Sequence, residues 1–253
     1  MRNFIYHAPT KVIFGTDAEK QVGPALAEAG FRHVMVLYGG GSVKKTGLLD
    51  AVTDSLKSSG ITYITLGGVD PNPKISFVRE GIVLAKKEQV ELIVAIGGGS
   101  VIDAAKGIGL GLTHGQDPWE MIEKQIFPTK RIPTAAVLTI SSAGSEMSYS
   151  HVLTNEEKKL KRSLNHDLMR PYFSFENPKY TYSVSPYQTA CGIVDTMMHT
   201  LERYFTKDTD TDLTDRIAEA VLVAVKNAGY QVMRNPEDYE ARATLMWASS
   251  LSH

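Results

Sequence analysis

Two groups of residues in this chain have the types and spacing to do chemistry. The first is a loop that occurs twice, Gly39-Gly40-Gly41-Ser42-Val43 and Gly97-Gly98-Gly99-Ser100-Val101, each after a short apolar run. Consecutive glycines let a backbone approach a ligand closely and adopt conformations closed to other residues. A serine entering a helix offers an N-cap hydroxyl beside free N–H groups, and helix N-termini favour phosphate. Glycine also serves plain tight turns, but one loop written twice points to a shared task, the binding of a phosphorylated ligand. Neither copy fits a common fingerprint. Ile102 stands where G-x-G-x-x-G requires its last glycine, and neither copy has the spacing G-x-x-x-x-G-K-[ST].

The second group is Asp195 and His199, at i and i+4 within Gly192-Ile193-Val194-Asp195-Thr196-Met197-Met198-His199. On a helix they share one face. Such a pair can give two ligands to a divalent metal, whose catalytic sites need at least one more and an open position. It can equally be an Asp–His hydrogen bond on a helix surface. The apolar Ile193, Val194, Met197 and Met198 beside it favour partial burial over bare solvation.

The elements that position these residues fall into two stretches. Val34–Tyr38, Ile61–Leu66 and Glu91–Ile96 read as strands, with helices over Leu48–Ser59, over Ile75–Gln89 and from Ser100 onward. Alternation at this spacing predicts an α/β fold, a parallel sheet with helices on both faces. Ligands of such sheets bind at the carboxyl ends of the strands, where both glycine loops lie. After about Pro178 strand signals fade, and helical patterns cover roughly Pro186–Thr206, Asp212–Arg234 and Pro236–Ser252. The expected division is an α/β nucleotide-binding domain over residues 1–182, followed by the start of an all-helical domain over 183–253.

Bulk properties narrow the function further. The 253 residues are 43% hydrophobic, enough for a substantial core. Lys+Arg number 27 against 28 Asp+Glu, so nothing favours nucleic acid or an anionic membrane as a partner. The single cysteine, Cys191, excludes an intramolecular disulfide framework and suits a reducing compartment. The opening Met1-Arg2-Asn3-Phe4-Ile5-Tyr6-His7 lacks the apolar run of a signal peptide, and no stretch approaches a membrane span. A cytoplasmic protein is expected.

Taken together, these motifs resemble the iron-containing alcohol dehydrogenase superfamily, and within it the butanol dehydrogenase and aldehyde reductase branch. The resemblance runs from about Phe4 to His253. It is carried by Gly39–Gly47, Pro71-Asn72-Pro73, the run Gly97-Gly98-Gly99-Ser100-Val101-Ile102-Asp103-Ala104-Ala105-Lys106, Leu138–Glu146 and Asp195–Thr200. It implies an α/β domain that binds NAD(P) and a helical domain that holds Fe2+ or Zn2+. Gly98, Gly99 and Ser100 would cradle the pyrophosphate, and Asp103 would lie near the nicotinamide end. Asn72, Thr139 and Ser142 would line the adenosine and ribose path, with Lys161 beside the cofactor. Ala143 departs from the threonine frequent in relatives.

The implied reaction is interconversion of a small aliphatic alcohol and its aldehyde or ketone. Hydride passes to or from the nicotinamide, and the metal polarises the oxygen; no general base is assigned. Met147, Met197 and Met198 suit an apolar substrate. NADP(H) is expected over NAD(H): Gly40 and Gly41 leave the first loop without an acidic side chain for a ribose 2′-hydroxyl, and Ser42, Lys44 and Lys45 suit a 2′-phosphate. The resemblance also implies two further histidine ligands from later helices. Of the 7 histidines, His253 is poorly placed for either, so a shortened form that does not turn over alcohols is expected, with apolar faces uncovered around Ile217–Val225 and Leu245–Leu251. A homodimer is compatible with this reading. Two rivals remain: a sugar-phosphate lyase of the dehydroquinate synthase type, and a non-catalytic nucleotide-binding remnant.

Overall fold

The structure is a computed structural model that describes residues 3–130 and 132–252, so His253 lies outside the described residues. The chain forms two compact units. One holds Thr10–Thr139 and Ser145–Asn177, the other Met1–Pro9, Ile140–Gly144 and Pro178–His253. No single cut in the chain reproduces this division, because Ile140–Gly144 belongs with the later helices.

The first unit is a six-stranded parallel sheet. In chain order its elements are β1 (Lys11–Phe14), α1 (Val22–Glu28), β2 (His33–Tyr38), α2 (Ser42–Lys45), α3 (Leu48–Ser58), β3 (Thr62–Gly67), α4 (Ile75–Lys87), β4 (Leu92–Gly97), α5 (Gly99–His114), α6 (Pro118–Lys124) and β5 (Thr134–Leu138). The antiparallel hairpin β6 (Ser150–Asn155) and β7 (Leu160–Asn165) follows, and then β8 (Phe173–Glu176). The spatial order is β1-β8-β5-β4-β2-β3. The α/β class expected from strand–helix alternation is therefore present. β4 and β5 are buried along their whole length, because helices cover both faces of the sheet, and their sequences, LIVAIG and TAAVL, are accordingly apolar throughout.

The second unit contains α7 (Pro186–Tyr204), α8 (Asp212–Arg234) and α9 (Tyr239–Ser252). Ser185 starts α7 by accepting the Gln188 N–H at 3.2 Å, with Pro186 in the first turn. α9 begins at Tyr239 rather than at Pro236, because Asp238 accepts the Ala241 N–H at 3.0 Å and so fixes the start. Val225, Ala228, Val232, Ala241, Leu245 and Ala248 form the core, with Ile193, Met197 and Val221 packed against it. Val225 and Leu245, expected on uncovered faces, are thus interior, whereas Ile217, Val223 and Leu251 are exposed. Met197 packs against this core.

Candidate nucleotide and metal-binding sites

Strand order locates the candidate nucleotide site. From β2 the chain moves to β3 on one side, and from β4 it moves to β5 on the other, so β2 and β4 flank the point where the direction of winding reverses. Ligands of open parallel sheets bind outside the carboxyl ends at this reversal. Gly39–Gly41 leaves β2 there and Gly97–Gly99 leaves β4, so the two copies of the loop become neighbours. Val101 joins them: a Cβ on Gly97 would meet its Cγ2 at 2.5 Å, and one on Gly39 would meet the same atom at 3.5 Å. Gly97 is thus fixed by close approach. Gly40 and Gly41 face open space, which leaves them free for a ligand. Thr139, just past β5, donates its N–H to Gly97 O at 3.2 Å and borders the same crevice.

The serines do not act as helix caps. Gly98 and Gly41 hold the N-cap positions of α5 and α2, and neither helix start has a side-chain cap. With a glycine in each cap position, the serine falls inside the first turn. Ser100 Oγ instead accepts the Asn72 N–H at 3.3 Å. Asn72 lies in a left-handed turn, φ 58°, a conformation asparagine tolerates better than most residues. Its Oδ1 accepts Lys161 Nζ at 2.7 Å. Residues 72, 100 and 161, far apart in sequence, meet at one side of the crevice.

Beneath them, α5 grips the segment leading into the hairpin. Asp103 Oδ1 accepts Ser145 Oγ at 2.8 Å and Oδ2 accepts the Val152 N–H at 3.2 Å. Burial raises the Asp103 carboxyl above the usual carboxylate range, opposed by Lys106, Ser145, Val152 and Lys161. One turn later Lys106, 0% exposed, donates from Nζ to Ser145 O, Ser148 O and Ser150 O at 2.7, 3.0 and 2.8 Å. Burial pulls its ammonium down to about 8, against the attraction of Asp103 and Glu146. Sequence reading quoted Lys106 in the motif but gave it no task. The available signal was its position at i+3 from Asp103, which puts both side chains on one face. His151, also missed, is fully buried with its basicity lowered to about 3, first by burial and then by Lys106.

The candidate metal pair lies in the helical unit. Asp195 and His199 sit one turn apart on α7, with His199 Nε2 3.9 Å from Asp195 Oδ1. Ser142 Oγ donates to Asp195 Oδ2 at 2.5 Å, and Thr196 Oγ1 donates to Ser142 O at 3.3 Å. Gly192 permits this approach, since a Cβ there would stand 2.2 Å from Ser141 O. Ser142, expected with Thr139 on the nucleotide path, is thus a partner of Asp195. In donor type and spacing the pair fits a divalent cation. In number it does not complete a site: among the described residues no cluster of three or more His, Cys, Asp or Glu could hold a metal.

A reversal-point sheet with glycine loops at its carboxyl ends is joined in one chain to a helical unit carrying an Asp–His pair. Comparison with known proteins gives the family. Residues 9–178 match the pattern of the iron-containing alcohol dehydrogenases, and residues 189–253 match the C-terminal pattern of the Fe-containing alcohol dehydrogenase family. The chain belongs to this family. It is 43% identical over 252 residues to NADH-dependent butanol dehydrogenase A of Clostridium acetobutylicum, covering 100% of this chain and 64% of that protein. It is 36% identical over 255 residues to the NADPH-dependent aldehyde reductase YqhD of Escherichia coli, covering 99% and 64%. The crystal structure of NADH-dependent butanol dehydrogenase A from Thermotoga maritima superposes with a TM-score of 0.97 at 38% identity, covering 100% of this chain and 63% of that one. The chain thus spans about 64% of the length of the curated relatives it matches. Among the described residues no helix is long and apolar enough to cross a membrane.

Proposed function

We propose that this chain carries the nucleotide-binding half, and the first metal donors, of an NAD(P)(H)-dependent oxidoreductase that interconverts a small aliphatic alcohol and its aldehyde or ketone. The observation that carries the reading is the meeting of the two glycine loops at the reversal between β2 and β4, with Asn72, Ser100 and Lys161 joined beside them. Gly98, Gly99 and Ser100 cradle the pyrophosphate at the start of α5, while Thr139 borders the nucleotide and Asp103 serves its nicotinamide end. Lys161 is held over the loop by Asn72 and supplies positive charge to it. Lys106 and Asp103 together keep the hairpin that bears Lys161 in register with α5.

Asp195 and His199 would hold the metal, with Ser142 orienting the carboxylate. Bound there, Fe2+ or Zn2+ would supply Lewis-acid polarisation of the substrate oxygen. The family's description favours iron. For the nucleotide, the first loop favours NADP(H): Ser42, Lys44 and Lys45 are exposed and no acidic side chain lies between Gly39 and Lys45. The names of relatives point both ways, toward NADH in the butanol dehydrogenases and toward NADPH in the aldehyde reductase. A second reading, nucleotide binding without turnover, is favoured by the lack of a third metal donor among the described residues.

The test is a fluorescence titration of NADPH and NADH against chelator-treated protein. Saturable binding without metal, tighter for NADPH, is expected. Binding that vanishes with the chelator refutes a self-sufficient nucleotide site, and equal or tighter NADH binding refutes the preference.

A further inference from the structure

Lys44 and Lys45 stand side by side on α2, and their types and spacing do not distinguish them as partners for a ligand of the first glycine loop. Their surroundings do. Lys44 Nζ stands 5.2 Å from the centroid of the Tyr38 ring. That is within the roughly 6 Å over which an aromatic face attracts a cation. Lys45 has no such contact, and among the described residues no carboxylate pairs with either lysine. Lys74, beyond Asn72, is by contrast paired with Asp70 at 2.9 Å.

The ring is placed by β3. Tyr38 and Gly67 end β2 and β3 and are register partners in the parallel sheet. A Cβ on Gly67 would stand 2.6 Å from Tyr38 Cζ and 2.8 Å from its hydroxyl oxygen. The phenol therefore lies across the end of β3 in space that only glycine leaves. The backbone beneath it is fixed from the same side. Gly68, φ 98°, donates its N–H to Tyr38 O at 3.1 Å and to Gly39 O at 3.0 Å, and Val69 N–H reaches Tyr38 O at 3.3 Å. Residues 67–69 thus set both the ring and the first glycine of the loop, and they do so without a ligand.

An exposed lysine samples many rotamers, and a ligand that needs it in one place must offset the lost freedom. A ring that draws the ammonium to one face removes part of that loss in advance. The ring carries no countercharge, so the full charge of the ammonium stays available to an incoming anion.

We propose that Tyr38, seated on Gly67, is a positioning residue that makes Lys44, and not Lys45, the partner of the 2′-phosphate of NADP(H), and so sets the cofactor preference. The inference rests on the proposed nucleotide reading of the first loop. In nucleotide-binding parallel sheets the pyrophosphate lies at one strand end and the ribose 2′ position is read further along the chain fold by a separate side chain. With the pyrophosphate at the start of α5, after β4, Lys44 stands on the β3 side of β2, away from it.

The experiment is fluorescence titration of the 253-residue chain with NADPH and with NADH, read as the ratio of the two dissociation constants. Lys44→Ala should reduce the preference for NADPH about tenfold, as loss of one charge-assisted contact does, and Lys45→Ala should reduce it less. Tyr38→Leu keeps the lysine and removes the ring; it should reduce the preference roughly two- to fivefold, the range of an exposed cation–π contact. Tyr38→Phe should keep the wild-type ratio, because the ring face remains, and Gly67→Ala should act like Tyr38→Leu by pushing the ring aside. Equal loss of both cofactors in Tyr38→Leu overturns the proposal, since the ring would then serve the shape of the loop and not the 2′ position. A ratio lowered by Lys44→Ala but unchanged in Tyr38→Leu also overturns it and leaves the nucleotide reading standing. A ratio unchanged in Lys44→Ala overturns the reading of the first loop itself, and the proposal with it.

Discussion

The α/β unit and the helical unit bring their functional residues together by opposite means. In the α/β unit, residues 39–41, 72, 97–100, 139 and 161 come from separate segments, and they meet only because the parallel sheet beneath them is closed on both faces. In the helical unit, Asp195 and His199 are one helical turn apart and would be near each other in any helix; only Ser142 arrives from a distance. The cores differ in the same sense. β4 and β5 are wholly buried, while Ile217 and Leu251 remain 57% and 52% exposed on the helices. The proposed nucleotide site is therefore assembled wholly within one core. A site built from one turn of helix has good geometry but too few donors.

This contrast is broken most decisively by metal and turnover. Dialysed protein should retain well below one equivalent of Fe2+ or Zn2+, and it should oxidise NADPH with a short aliphatic aldehyde no faster than the blank. Two ligands fall short of the three that catalytic zinc-type sites use. Stoichiometric metal with ordinary turnover would show that other residues complete the site.

Acid should separate the units next. His151 is buried neutral in the α/β unit with its basicity lowered to about 3, whereas an unfolded histidine titrates near 6.5. Between those values the unfolded chain binds the extra proton, so stability rises with pH there and is lost as pH falls from about 6.5 toward 3. The loss should reach about 3 kcal/mol by pH 4. The urea midpoint of wild type should fall relative to that of His151→Leu as the pH falls. Parallel pH profiles would refute the assignment.

Gly192→Ala addresses the helical unit alone. Its new Cβ would press on Ser141 O, a backbone atom with little room to give, at a cost of about 2 kcal/mol. Lower thermal stability with unchanged NADPH affinity is expected; a matching loss of affinity would show that nucleotide binding depends on the helical unit. The smallest effect concerns the open glycines. Gly40→Asp meets no neighbour within 4 Å and should weaken NADPH about tenfold by repelling the 2′-phosphate, roughly 1.4 kcal/mol, with NADH spared. Equal weakening of both cofactors would place Gly40 elsewhere than at the 2′ position.

The sequence by itself determined the strands β2, β3 and β4, the three late helices, the doubled glycine loop and the Asp195–His199 pair. All of these are local: strand and helix periods, glycine's backbone freedom and i, i+4 spacing need no distant partner. Contacts between distant residues were left to the tertiary structure. β1 is four residues long and acquires its place by pairing Lys11–Phe14 with Phe173–Glu176, far along the chain. The hairpin β6–β7 carries little apolar periodicity and is held by Thr154 N–H on Pro73 O and by Lys106 at its entrance. Ser100 serves Asn72 rather than capping α5, because Gly98 already occupies the cap position and the left-handed turn at Asn72 aims its N–H at the hydroxyl. Ser142 meets Asp195 because Ile140–Gly144 packs with the helices, a partition that nothing in the local sequence encodes.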